Sequence, residues 1–184
     1  MLYKAQVLSF IECRTAAIYH ACQHALDRLQ HVQEKLLEAA GLNSIEALNV
    51  CRLAPLSAWR DMALLGLIHR SVLGRGPTHF GTFFKPNLQA RQRRDRHSLQ
   101  LVEYRDAHVS DFLYPGSRPA AYIAHSVLGL ISVYNRLPAS IVERCACVSS
   151  FQRSLQDLLA TRANAGAADW TKTFCPRVSL RVHP

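Results

Sequence analysis

The chain has 184 residues, with 22 lysines and arginines against 13 aspartates and glutamates, for a formal charge of +9. That length bounds it to one domain with a real core or two small helical subdomains, and an apolar share of 49% excludes wholesale disorder. No uncharged apolar run approaches the ~18 residues of a membrane span.

Near the N-terminus, Glu12 and Arg14 interrupt what would otherwise be an apolar stretch, so a secretory signal is not expected. Residues from Leu2 to about Cys22 are apolar almost all round and predict a helix that expects burial. A second helix is predicted from about Leu26 to Ala40, with Leu26, Leu29, Val32, Leu36 and Ala40 on one face and Gly41 as its stop. Asn43 with Glu46 forms a capping-box signature for a short helix reaching about Cys51. Pro55 breaks that element, and Ser57 is the expected N-cap of a central core helix, about Ala58 to Leu73, closed by Gly74, Gly76 and Pro77. Phe80, Phe83 and Phe84 are spaced like one face of a helical turn, which suits a hydrophobic latch better than a base-stacking platform.

Composition then shifts. Lys85 to His97 is polar and basic, Ser98 to Tyr104 alternates weakly like a lone strand, and Tyr104 to Pro119 reads as loop. Beyond it, helices are predicted over about Ala120 to Arg136, with a break at Gly129, and over about Ser150 to Arg162, where Ser149 and Gln152 repeat the capping-box pattern. In Tyr134-Asn135-Arg136-Leu137-Pro138, the asparagine suits a left-handed helix closure and Pro138 prevents continuation. After Gly166 a tail is expected to pack Trp170 and little else. The fold class is therefore mainly α, an irregular helical bundle with a basic, loop-rich insertion and room for one short strand or hairpin. Its organisation is a helical subdomain over 1–84, a basic connector over 85–119 and a second helical subdomain over 120–184.

Six cysteines lack zinc-site pairing and disulfide-scaffold density, so a reducing intracellular setting, nuclear or cytoplasmic, is expected. Cys145 and Cys147 are too close for a zinc knuckle and have no matching pair. His20 and His24 share a helical stripe, but Ala21 follows His20 where a zinc protease needs its general base, and packing explains the pair better than metal. No nucleophile–base pair or paired carboxylates emerge, and no cofactor or metal is expected.

The sharpest physical feature is Arg91-x-Arg93-Arg94-x-Arg96-His97, flanked by Lys85 and Arg105. Only four of the basic side chains are lysines, and guanidinium groups suit bidentate phosphate contacts. These seven residues are the candidate contacts to a nucleic-acid backbone. A solvated loop or a targeting patch is the competing explanation.

Several short signatures also stand in a particular order: Leu26-Asp27-Arg28-Leu29-Gln30, Leu53-x-Pro55-Leu56-x-x-x-Arg60, Phe83-Phe84, the arginine cluster ending at His97-Ser98-Leu99, Tyr134-Asn135-Arg136-Leu137-Pro138, and Val148-x-x-Phe151-x-x-x-Leu155. That order resembles the thumb and post-palm region of reverse transcriptases from non-LTR (LINE-like) retrotransposons. The resemblance implies a piece of an RNA-directed DNA polymerase that contacts RNA or an RNA–DNA duplex at low specificity and packs against the palm of the parent enzyme. Two-metal polymerisation needs clustered aspartates; the seven aspartates of this chain are never adjacent. A non-catalytic fragment with residual backbone binding is the leading expectation. The alternative is a helical protein-interaction module of retroelement origin with no nucleic-acid role.

Overall fold

A computed structural model describes residues 23–88, 96–103 and 126–175 of the chain. The helix expected over Leu2 to Cys22, with His20, and the segments carrying Arg91, Arg93, Arg94 and Arg105 lie outside them. The described residues are mainly helical, with no strand among them. They fall into two compact units, one drawn from Met1–Leu64 and Ser154–Phe174, the other from Leu65–Arg153 and Cys175–Pro184.

In the first unit, helix α1 spans Gln23–Ala39. Gly41 closes it at φ +66, with its N–H bonded to Glu38 O at 3.0 Å and Leu42 N–H to Leu37 O at 2.9 Å. This paired closure needs a left-handed residue, which glycine adopts without a Cβ penalty. The buried face of α1 is rotated from the expected one: Val32 is 55% exposed, while Gln33 is buried beside Leu26 and Leu37. The reason lies in the break before the next long helix. Gln33 Nε2 donates to Ala54 O at 2.9 Å, and Gln30 Oε1 accepts from Leu56 N–H at 3.0 Å. Two glutamines thus satisfy backbone groups that the proline turn strands inside the unit.

Helix α2, Ser44–Cys51, begins with the expected capping box. Asn43 Oδ1 accepts from Ile45 and Glu46 N–H at 3.0 and 2.8 Å, and Glu46 Oε2 accepts from Asn43 N–H at 2.9 Å. Leu37, Ala47, Leu53 and Leu56 form the apolar cluster, with Leu29, Leu42, Cys51 and Trp59 packed against it. The second half of the last long helix belongs to this unit, tied to it by Arg52–Asp157 and by Asn49 Nδ2 to Asn164 Oδ1 at 2.8 Å. After that helix a single 3₁₀ turn, Trp170–Lys172, buries Thr173 and Phe174 as well as Trp170, more than the expected tail.

Helix α3, Leu56–Val72, runs through both units. It starts before Ser57: Pro55 supplies the first carbonyl, bonded by Trp59 N–H at 3.0 Å, so Ser57 lies inside the helix and does not cap it. In the second unit, helix α4 (Ile131–Tyr134) falls within the helix expected over Ala120 to Arg136, whose first part, up to 125, lies outside the described residues, and a further short helix, α5 (Ala139–Val142), follows Pro138. Helix α6, Val148–Asn164, starts two residues early, on Cys147 O, which accepts from Phe151 N–H at 3.1 Å. The Ser149–Gln152 capping box is not formed. Gln152 is occupied elsewhere: a Cβ on Gly66 would meet its Nε2 at 2.8 Å, so α3 and α6 approach closely there.

Candidate functional site

The basic insertion is fastened at its base. On the incoming side, Lys85 O accepts from Val102 N–H at 2.9 Å, and Asn87 N–H donates to Gln100 O at 2.8 Å. These bonds make one antiparallel bridge, Pro86 with Leu101, in place of the expected strand over Ser98 to Tyr104. A second bridge joins Arg96 to Pro138. Asn87 and Arg96 are thus the bridged or bonded residues nearest the undescribed residues 89–95 on either side. Lys85 and Arg96 are both exposed at this base.

The returning leg, 96–102, is held by side chains whose sequence context indicated no such role. Asn135 is buried, and its amide grips one residue from both sides: Oδ1 accepts from Leu101 N–H at 2.9 Å and Nδ2 donates to Leu101 O at 2.8 Å. An amide side chain here supplies what a neighbouring β-strand would supply. Asn135 itself is right-handed, φ −61, so its place in the Tyr134–Pro138 turn follows from this clasp and not from a left-handed closure. Gln100 Nε2 donates to Asn135 O at 3.0 Å, and Glu143 Oε1 accepts from Ser98 N–H at 2.6 Å.

His97 was expected to face a phosphate. It is instead buried, 1% exposed, with its ring edge-on to Tyr134 at 5.2 Å between centroids. Its Nε2–H donates to Tyr134 O at 2.9 Å, which leaves Nδ1 as a buried acceptor without a hydrogen bond among the described residues. Tyr134 in turn bonds His69, which is fully buried on α3 and stacked on Phe151 at 4.1 Å. His69 Nε2 lies 2.9 Å from Cys145 O, so it carries the proton, and Nδ1 accepts from Tyr134 O–H at 3.0 Å. Both imidazoles are thus neutral in this arrangement. Burial pushes each below the ordinary histidine value of 6.5, partly opposed by its backbone hydrogen bond. Burial also raises the Tyr134 phenol.

Two further ionisable groups depart from ordinary behaviour. Burial pushes the half-buried Asp61 carboxyl up to about 7, against the opposing pull of Arg60. Cys147, an exposed free thiol at the start of α6, is lowered to about 7 by the Ser149 and Ser150 hydroxyls, each 3.2 Å from its Sγ.

Among the described residues no three His, Cys, Asp or Glu side chains gather to hold a metal, and no helix is long and apolar enough to cross a membrane. No protein-family model matches the chain, and neither curated proteins nor solved structures yield a match.

Of the seven predicted contacts, then, Lys85 and Arg96 stand exposed at the fastened base and His97 is turned inward. Arg91, Arg93, Arg94 and Arg105 lie outside the described residues. Asn135, Tyr134, His69 and Glu143 carry no motif for clasping a loop. The only advance signal was the place of Tyr134 and Asn135 in the Tyr-Asn-Arg-Leu-Pro turn, with Glu143 a few residues on; His69 lies far away in sequence, on α3.

Proposed function

We propose that this chain is a non-catalytic region of a retroelement RNA-directed DNA polymerase that binds the RNA or RNA–DNA backbone through its basic insertion and packs against the palm of the parent enzyme. The observation that supports this most is the fastened base. It presents Lys85 and Arg96 to solvent and joins them to a segment whose sequence adds Arg91, Arg93 and Arg94. A cationic segment on a fixed base loses less conformational freedom on meeting phosphates than a free tail of the same charge. The ordered signatures that resemble the thumb and post-palm region support the polymerase origin.

The test is affinity for an RNA–DNA duplex as a function of salt, comparing the unaltered chain with the variant in which Arg91, Arg93, Arg94 and Arg96 are all changed to alanine. If all four reach phosphates, the log–log slope flattens by roughly 3 to 4, at about 0.7–0.9 per contact. An unchanged slope removes the arginines from the interface. That outcome favours the second reading, a protein-interaction module, which rests on exposed Phe83, Leu88 and Val102 (44%, 95% and 41%) in or beside the same base.

A further inference from the structure

The basic leg is pinned by a histidine that has two places to go. Facing inward, the His97 ring donates from Nε2 to Tyr134 O, with the Gln100 amide nitrogen 3.4 Å from that same ring nitrogen, and its Nδ1 has no partner among the described residues. A proton added at Nδ1 would create a buried cation with an N–H aimed at nothing. The groups facing the ring do not relieve this. Tyr134 on α4 offers its ring edge and one carbonyl that is already bonded, and His69 on α3 and Arg96 on the same leg both repel a cation. Glu143, at the end of α5, attracts one, and its carboxylate lies in solvent, already bonded to the backbone of Ser98, the residue after His97. An outward turn therefore brings a protonated ring from an unsatisfied burial site to water beside a carboxylate.

We propose that His97 is a pH-sensitive latch on the basic insertion: neutral, it seats inward on Tyr134 and holds the leg 96–102 closed; protonated, it swings out beside Glu143 and the leg opens. Opening breaks the Ser98 and Leu101 backbone bonds to Glu143 and Asn135 and leaves the remainder of the second unit folded. Local release of this kind is how one titrating side chain at the rim of a structure becomes a conformational switch. The latch does not depend on what the insertion binds. Its consequence for nucleic acid does rest on the reading above: affinity falls on acidification, opposite to the rise that extra histidine charge brings by itself.

The experiment is a pH titration of the full chain by NMR, following the His97 ring and amide exchange at Ser98 and Leu101, corrected for the intrinsic pH dependence. Below the ordinary histidine range the Leu101 amide should exchange about tenfold faster per pH unit, the slope of a single proton. Ile68, in the middle of α3, should stay protected. His97→Gln keeps a donor for Tyr134 O without a titrating ring and should flatten the profile. Glu143→Gln removes the outward partner and should move the midpoint to lower pH; it decides the matter if the glutamine variant does not fold. Unchanged Leu101 protection down to about pH 5, an unshifted Glu143→Gln midpoint, or Ile68 opening in step with Leu101 would each overturn the latch. Duplex affinity measured across the same pH range separates the two claims. Absence of binding at every pH sinks the functional reading while exchange still reports the latch.

Discussion

The two ends of α3 are held by different chemistry. At the first, Leu56 joins Leu37, Ala47 and Leu53 in an apolar cluster, and polar groups enter only as caps and as the two glutamines that serve the Ala54–Leu56 turn. At the second, His69 sits among Tyr134, Phe151 and the Cys145 carbonyl, with every ring nitrogen committed. The first tolerates change that preserves volume and apolarity; the second requires particular atoms in particular places. The first end is built to be stable, the second to be specific about one arrangement, and the second, through Tyr134, holds the described leg of the basic insertion.

The strongest way to break that contrast is to remove the aromatic floor of the second region. Phe151 is fully buried and stacked on His69. Phe151→Ala should cost about 3–5 kcal/mol in urea denaturation, transfer and cavity terms together. A loss under about 1 kcal/mol would mean that the histidine network stands without its packing.

Next in size is the clasp. Asn135→Ala leaves the Leu101 N–H and C=O unpaired in a buried place, at about 1–3 kcal/mol for each unsatisfied group. The expected total is about 2–6 kcal/mol, with the exchange of Leu101 accelerated ahead of global unfolding. If melting shifts by less than 1 kcal/mol, the clasp is decorative and the leg is held by its backbone bridges.

Much of the first region was legible in advance and little of the second. The Gly41 stop, the Asn43–Glu46 box and the helix through Leu56–Val72 follow from local rules that act within one turn of chain. Gln30 and Gln33 were not legible, because their role is set by a carbonyl and an N–H more than twenty residues away. Asn135 failed for the same reason: its residue type suggested a local backbone role, and its partner lies 34 residues earlier. His97 was grouped with the arginines by its neighbours in sequence, yet a residue on an extended leg points opposite to the next one, so exposed Arg96 places His97 inside. The charge of the insertion was plain in composition; what fastens it was not.

The two ends of α3 should also answer pH with opposite signs. Asp61, raised to about 7 from 3.8, binds its proton more tightly folded than unfolded. Its favourable contribution is complete below the unfolded value and is lost as pH rises through 7. His69 and His97, lowered from 6.5, contribute stability above that value and lose it as pH falls below it. Asp61→Asn should therefore stabilise the protein at pH 8 by about 1–2 kcal/mol, a figure held down by the partial exposure of the residue. Near pH 4 it should change little. A variant equally stabilised at both pH values would show that the carboxyl's charge is not what burial penalises.

The smallest effects separate two capping signatures that look alike in sequence. Asn43 completes both halves of its box, so Asn43→Ala should cost about 1 kcal/mol in chemical denaturation. Ser149 caps nothing, because α6 already begins at Val148 on the Cys147 carbonyl. Its hydroxyl lies against the Cys147 thiol instead and is the largest influence lowering that thiol to about 7. Ser149→Ala should thus leave stability within about 0.5 kcal/mol. It should move the midpoint of Cys147 alkylation toward higher pH, since the thiolate and not the thiol is the nucleophile. The two serines of the motif divide this work: Ser150 also donates to Cys147 O at 2.9 Å, so its loss disturbs the start of the helix as well as the thiol. An alkylation profile unmoved by Ser149→Ala, together with a loss of stability matching that of Asn43→Ala, would reverse the assignment and make Ser149 the cap that its sequence context suggests.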